Sequence, residues 1–90
     1  MPRVPSVAAQ LIGKRIAETR IRAGLTQDEV GVRSGIDSAN LRAFEGGRAI
    51  PSIRSLIRVA VALDVPAGDL IQDVTVESLG EPRHRDRGVA

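Results

Sequence analysis

Arginines are the side chains of this sequence with the most chemistry to offer. Lys14 is the single lysine among 13 basic residues, and His84 is the single histidine. A guanidinium carries a permanent charge and a planar fork of N–H donors that matches phosphate oxygens and the edge of guanine. A GC-rich genome produces the same bias, so composition favours a nucleic-acid ligand without deciding it.

The charge is distributed unevenly along the 90 residues. Residues 1–58 carry ten basic and five acidic side chains, a net charge of +5, whereas residues 59–90 carry three and six, a net charge of −3. This asymmetry favours a protein that turns its N-terminal part toward a polyanion. Ordinary solvated helix faces are the alternative interpretation.

Several classes of site are disfavoured by what the sequence lacks. It contains no cysteine, which argues against disulfide scaffolds and thiol chemistry, and a lone histidine makes a catalytic triad or a metal site improbable. No apolar run approaches the roughly 20 residues of a membrane span, and the first ten residues lack the apolar core of a signal peptide. We therefore expect a cytoplasmic protein that is not an enzyme, with no metal, no cofactor and no membrane partner.

Phe44 is the single aromatic residue, which bears on the kind of nucleic acid. Single-stranded DNA and RNA are usually held by stacking bases on aromatic rings. Because Phe44 is expected in the core, no stacking platform remains, and double-stranded DNA is the favoured partner.

Apolar residues at helical spacing predict an all-α fold of five short helices. The predicted helices cover residues 6–23, 26–33, 38–45, 51–63 and 67–71. In the fourth, we expect an inward stripe formed by Ile53, Leu56, Ile57, Ala60 and Leu63. The weak alternation of apolar and polar residues over Val74–Leu79 indicates a short strand. Residues 80–90 are expected to form a polar, mobile tail.

Residues 26–47 hold the most informative pattern. Thr26 and Glu29 are spaced as a capping box, Gly35 suits a turn, and Gly31 is small enough to let a second helix cross closely. Two short helices joined in this way form a helix-turn-helix, whose second helix is presented to the major groove. Generic helical hairpins share the pattern.

Several separately spaced signatures resemble the Cro/C1-type (XRE-like) helix-turn-helix family of transcriptional regulators, among them small restriction–modification controller proteins and phage repressors. These signatures are Leu25–Val30, Ser34–Ile36, Phe44–Arg48, Pro51-Ser52 and Leu56–Val65. The resemblance implies a compact five-helix, lambda-repressor-like domain. It also implies a homodimer that binds a roughly palindromic operator as a repressor or other regulator. Along the chain we expect an arm and the start of the first helix at 1–10, the DNA-binding domain at 11–72, and a partly disordered extension at 73–90.

The resemblance also assigns roles to individual residues. Arg20 and Glu45 match an internal ion pair, and Gln27 matches a residue that touches a phosphate and braces the recognition helix. The positions that face the bases, or flank those that do, are Ser38, Ala39, Asn40, Arg42 and Ala43. Apart from the resemblance, Arg48 is a phosphate candidate because it follows the third helix in a glycine-rich loop, where cations and backbone amides often meet phosphate. Arg33 and Arg15 are further candidates. The residues themselves indicate the dimer surface, because the region of the fourth and fifth helices holds more apolar side chains than one small core needs. These are Val61, Leu63, Val65, Leu70 and Ile71.

The sequence departs from the family pattern at the positions expected to face the bases. Long polar side chains are usual there, whereas this sequence has Ser38, Ala39 and Ala43. Either Asn40 and Arg42 supply the polar readout, helped by DNA shape, or discrimination is modest. Arg42 could instead bind phosphate or an acidic group of its own protein. Other functions left open are an antitoxin or partner-dependent repressor whose C-terminal tail binds a protein, and a protein-interaction adaptor with little DNA binding.

Overall fold

The computed structural model describes residues 6–80, and in this part of the chain the secondary structure is entirely helical. The elements are α1 (Val7–Arg22), α2 (Gln27–Ser34), α3 (Ser38–Glu45), α4 (Ile53–Leu63), α5 (Ala67–Ile71) and a closing 3-10 turn (Glu77–Leu79). The predicted all-α fold of five helices is confirmed. The predicted N-terminal arm before Ser6 and the basic tail after Gly80 lie outside the described residues.

Side-chain caps explain where the first four helices begin. The hydroxyl of Ser6 accepts a hydrogen bond from the N–H of Ala9 at 3.1 Å, and α1 follows. At α2 the Glu29 N–H donates to the Thr26 hydroxyl at 3.0 Å, while the Thr26 N–H donates to the Glu29 carboxylate at 2.8 Å. These bonds satisfy amides that have no partner within the helix, so the starts are set by local sequence.

The core lies between the pair formed by α2 and α3 and the two helices α1 and α4 that pack against this pair. Helix α1 packs on α3 and α5, and α2 packs on α3 and α4. The largest side chains buried completely are Ile16, Val30, Leu41, Val59 and Leu70, each from a different helix. All five helices therefore share one apolar core.

Gly13 sets the distance between α1 and α3. A Cβ at this position would lie 2.2 Å from the carbonyl oxygen of Phe44 and 2.9 Å from that of Glu45. Real Cβ atoms do not approach backbone this closely, so only glycine allows α3 to sit this near α1. No pattern in the sequence indicated this contact.

The expected inward stripe of α4 is wrong at two positions. Ile53 and Ile57 are 71% and 48% exposed, whereas Val59, which the stripe omitted, is fully buried. Helices α2 and α5 pack on the side of α4 that carries Val59 and Ala60, which leaves the opposite apolar side uncovered.

The expected strand over Val74–Leu79 is also wrong. The Thr75 N–H donates to the Ser78 hydroxyl at 2.8 Å, and the Ser78 N–H donates back to the Thr75 hydroxyl at 3.1 Å. This reciprocal pair favours a turn, because the two hydroxyls satisfy the amides that a strand would offer to a neighbour. The turn packs on α1, where Asp73 forms an ion pair with Arg15.

Candidate nucleic-acid interface

Helix α3 has one buried face and one outward face. Leu41 is fully buried and Phe44 is 8% exposed, and both face the core. Residues at i, i+3, i+4 and i+7 share a helix face, and one such set lies opposite the buried pair. Its members are Ala39, Arg42, Ala43 and Gly46. We call this set the reading face.

The polar side chains on and beside the reading face are free. Asn40 and Arg42 are exposed, and neither makes a side-chain hydrogen bond or an ion pair with residues 6–80. Of the alternatives for Arg42, binding to an acidic group in this part of its own protein is therefore not seen. An exposed guanidinium without a partner is available to a ligand at no cost in broken contacts.

The C-terminal end of α3 is held on its inner side by a buried polar network around Glu45, which we call the brace. Arg20 donates to Glu45 through Nε (2.7 Å) and Nη2 (3.0 Å), and its Nη1 donates to the Leu25 carbonyl at 2.9 Å. Gln27 Nε2 donates to Glu45 Oε1 at 3.0 Å. The structure thus brings Gln27 to the same carboxylate as the expected pair of Arg20 and Glu45, and this network joins α1, the start of α2 and the end of α3.

The brace is largely withdrawn from solvent. The side chains of Arg20 and Glu45 are 15% and 7% exposed. The hydrogen bond to Glu45 raises the pKa of the Arg20 guanidinium, although burial acts in the opposite direction. Because the pair is bidentate and Glu45 is further bonded to Gln27, the charges are well compensated, and the angle between α2 and α3 is held.

The turn between α2 and α3 is stabilised by its own local contacts. Gly35 has φ of 75°, a left-handed conformation that glycine adopts without strain. The Ile36 N–H donates to the Ser34 hydroxyl at 3.2 Å, and a Cβ at Gly31 would lie only 3.0 Å from the Ile36 carbonyl oxygen. Gly31 thus permits a close crossing of the two helices, and the Ser34 hydroxyl satisfies a buried amide.

The predicted phosphate contacts divide into two groups. Arg33 and Arg48 are exposed and have no hydrogen-bond or ion-pair partner in residues 6–80. Arg15 is instead paired with Asp73. It projects toward the closing turn, whereas Gly13, two residues earlier, meets α3. The structure therefore does not bring Arg15 together with the other candidates.

No sequence signal indicated that one polar residue of α1 lies beside the end of α3. Gln10 is exposed on α1, and its Cγ lies 3.1 Å from where a Cβ of Gly47 would stand. It therefore borders the loop that follows α3. Nothing in the helical pattern of α1 could have singled it out, because the contact spans 37 positions of sequence.

The expected dimer surface needs correction at two residues. Leu63 and Leu70 are 5% and 1% exposed, so they belong to the core of the single chain and cannot also face a partner. Val65 is partly buried against the same core. Val61 and Ile71 are exposed.

One face of α4 is exposed and apolar. Residues spaced by four share a helix face, and on this face they are Ile53, Ile57 and Val61, which we call the α4 ridge.

None of the helices in residues 6–80 is long and apolar enough to span a bilayer.

Comparison with known proteins matches residues 11–73 to the helix-turn-helix domain family. The HTH-type transcriptional regulator y4dJ of Sinorhizobium fredii is 39% identical over 62 residues, which are 69% of this chain and 80% of that protein. The restriction-modification controller protein C.AhdI from Aeromonas hydrophila is 29% identical, and its crystal structure superposes with a TM-score of 0.67 over 69% of this chain and 94% of that one. The hypothetical transcription factor NHTF from Neisseria, 20% identical, shares the fold over 99% of this chain and 95% of its own, with a TM-score of 0.69.

Proposed function

Because the chain belongs to the helix-turn-helix family of DNA-binding transcriptional regulators, we propose that it recognises a specific duplex sequence as a homodimer. The observation that carries this proposal is the contrast within α3. Its Glu45 is engaged by two other elements, while its Arg42 is exposed and without a partner among residues 6–80. A helix held this firmly, with a free guanidinium outward, suits insertion into the major groove.

The reading face suits a mixed readout. Arg42 can donate two hydrogen bonds to O6 and N7 of guanine, and Asn40 can bond to N6 and N7 of adenine. Ala39 and Ala43 have only methyl groups to offer, which fit against the methyl group of thymine. Polar readout by Asn40 and Arg42, with Ser38 beside them, is therefore the interpretation that we favour over weak discrimination.

Gln27 suits a second role besides the brace. A side-chain amide has two N–H donors and a carbonyl acceptor, and one donor is used by Glu45. The second donor remains for a phosphate oxygen at the start of α2. Arg33, exposed near the end of α2, is proposed as a further phosphate contact.

The homodimer is proposed to form through the α4 ridge together with Ile71. These residues are 39–74% exposed, and an exposed apolar patch can mark an interaction surface. A two-fold axis at this surface would place two copies of α3 in successive major grooves, about 34 Å apart, on a roughly palindromic operator. The domain bounds of 11–72, a repressor role and a protein partner for the tail remain predictions.

The experiment that tests DNA recognition is a selection of genomic fragments with the purified chain, followed by titration at several salt concentrations. We expect a recurring site and an affinity that falls steeply as salt rises, because phosphate contacts release counterions. Gln27→Ala and Arg42→Ala should weaken binding to that site without unfolding the domain. Gln72→Ala, an exposed glutamine at the end of α5, is the matched control.

An adaptor without DNA binding would behave differently. It would select no fragment, and its variants at Gln27 and Arg42 would match the parent protein. The dimer is tested separately by sedimentation of Val61→Asp, which should be monomeric at concentrations where the parent is a dimer. An unchanged mass for this variant would move the interface elsewhere.

A further inference from the structure

The guanidinium of Arg48 folds back onto the end of α3, although the residue itself belongs to the following loop. A Cβ at Gly46 would lie 2.7 Å from Arg48 Nη1 and 3.5 Å from its Cζ. Gly46 has helical backbone angles, φ −80° and ψ −2°. The Arg48 guanidinium therefore occupies the space in which a side chain of residue 46 would stand.

This space belongs to the reading face. Gly46 follows Arg42 by four residues, one turn or about 5.4–6 Å along the helix axis, and it continues the side of α3 that is opposite Leu41. The guanidinium of Arg48 is thus shifted about two residues back toward the part of a recognition helix that reaches base edges. On this side of α3 it joins Arg42 as a second long, charged group.

Two features favour a cation at this place. It lies beside the C-terminal end of α3, where the negative end of the helix dipole attracts positive charge. Gly46 leaves the space open, since it has no side chain. Arg48 is exposed and makes no ion pair within residues 6–80, so its N–H donors remain available.

We propose that Arg48 reads a base, although its position in a glycine-rich loop predicts a phosphate contact. With Arg42, it recognises a guanine through O6 and N7, so each half-site carries two G·C pairs. Gly46, beside which the Arg48 guanidinium lies, is about one helical turn from Arg42, and base pairs rise by about 3.4 Å, so we expect the two pairs within about two steps. This inference rests on the proposed DNA recognition and adds a specificity-determining residue to it.

The test is a selection from a randomised duplex pool with the full chain, compared among the parent, Arg48→Ala and Arg33→Ala. The parent should prefer two G·C pairs within two steps, and Arg48→Ala should lose the preference at one of them, from about 10–100-fold to less than threefold. Arg33→Ala, the matched control, should weaken all duplexes alike and lower the salt slope by about one, with the preferences intact. Replacing the guanine concerned by 7-deazaguanine, which lacks the N7 acceptor, should weaken the parent but not Arg48→Ala.

A second variant tests the placement itself and keeps the charge. Gly46→Ala is compatible with the backbone, but its Cβ must displace the guanidinium, so the same G·C preference should fall while thermal unfolding stays near that of the parent. If Gly46→Ala keeps the preference, the proposal is overturned. It is also overturned if Arg48→Ala behaves as Arg33→Ala does, a result that leaves DNA recognition standing. A parent chain that binds no duplex overturns both.

Discussion

Arg42 and Glu45 lie within one turn of each other on α3, yet their surroundings are opposite. Glu45 is 7% exposed and accepts three hydrogen bonds, from Arg20 and Gln27. Arg42 is exposed and has no side-chain partner among the described residues. The brace and the reading face thus divide the polar groups of one short helix into those that hold it and those that can bind.

The contrast between Arg42 and Glu45 shows how an eight-residue helix can be held rigidly while one of its faces stays exposed. A helix this short is not stable alone, and its position must come from contacts with the rest of the domain. Those contacts are apolar at Leu41 and Phe44 and ionic at Glu45. Since all of them lie away from the reading face, substitutions on the two sides should have separable consequences.

Breaking the brace should give the largest effect. Glu45→Ala leaves the Arg20 guanidinium buried without its carboxylate, and losing one partner of such a pair costs about 3–5 kcal/mol. We expect the lower end of that range, since Arg20 keeps 15% of its side chain exposed, measured as the free energy of unfolding in urea. The double variant with Arg20→Ala should lose less than the sum of the single variants. A loss below about 1 kcal/mol would show that the brace is not a source of stability.

Closing the space between α1 and α3 should come next. Gly13→Ala places a methyl group 2.2 Å from the Phe44 carbonyl oxygen, so α3 must shift. Overpacking of this kind typically costs about 1–3 kcal/mol, and DNA affinity should fall with it because the reading face moves. Gly68→Ala, where a Cβ meets nothing within 4 Å, is the control. Equal stability of the two variants would contradict the close approach.

A smaller effect is expected from the charge at the start of α2. The N–H of Thr26 and then its hydroxyl lower the pKa of Glu29 from its ordinary value near 4.5. The folded pKa lies below the unfolded one, so this contribution is complete above about pH 4.5 and is lost as the pH falls through the folded pKa. Glu29→Gln should therefore melt below the parent at pH 7 and alongside it in strong acid. A melting difference that did not depend on pH would assign the effect to packing.

The smallest effect on stability should come from the reading face. Arg42→Ala should change the free energy of unfolding by no more than about 0.5 kcal/mol, because an exposed side chain without a partner contributes little. Its binding to the selected site should fall by tenfold or more if it contacts guanine. Parallel urea and DNA titrations of this variant and Glu45→Ala would sharpen the comparison. If Arg42→Ala lowered the free energy of unfolding as much as Glu45→Ala does, the contrast between the reading face and the brace would be contradicted.

Local signals account for the parts of the fold that sequence reasoning predicted well. The capping box of Thr26 and Glu29, the turn at Gly35 and the bounds of Ser38–Glu45 all appear as expected. Each depends on bonds between residues at most four apart. The pairing of Arg20 with Glu45, implied only by family resemblance, spans 25 positions and is present.

The errors have a different character. Helix α4 is apolar on more than one side, so periodicity allowed Ile53 and Ile57 inward as readily as Val59. Leu63 and Leu70 were expected at a dimer surface because the region holds more apolar residues than a small core was expected to need, but they complete the core. Alternation over Val74–Leu79 suggested a strand, where two hydroxyls and the side of α1 stabilise a turn.

The sequence by itself determined the helix count, the starts of the helices and the helix-turn-helix arrangement, because caps and turns are hydrogen bonds between near neighbours. Only the tertiary structure decided which side of α4 is covered, that Arg15 belongs to Asp73, and that the Arg48 guanidinium rests over Gly46. The burial of α4 and the Arg15 pair depend on how elements distant in sequence approach one another. The placement of Arg48 depends on a side-chain conformation, which residue spacing does not specify.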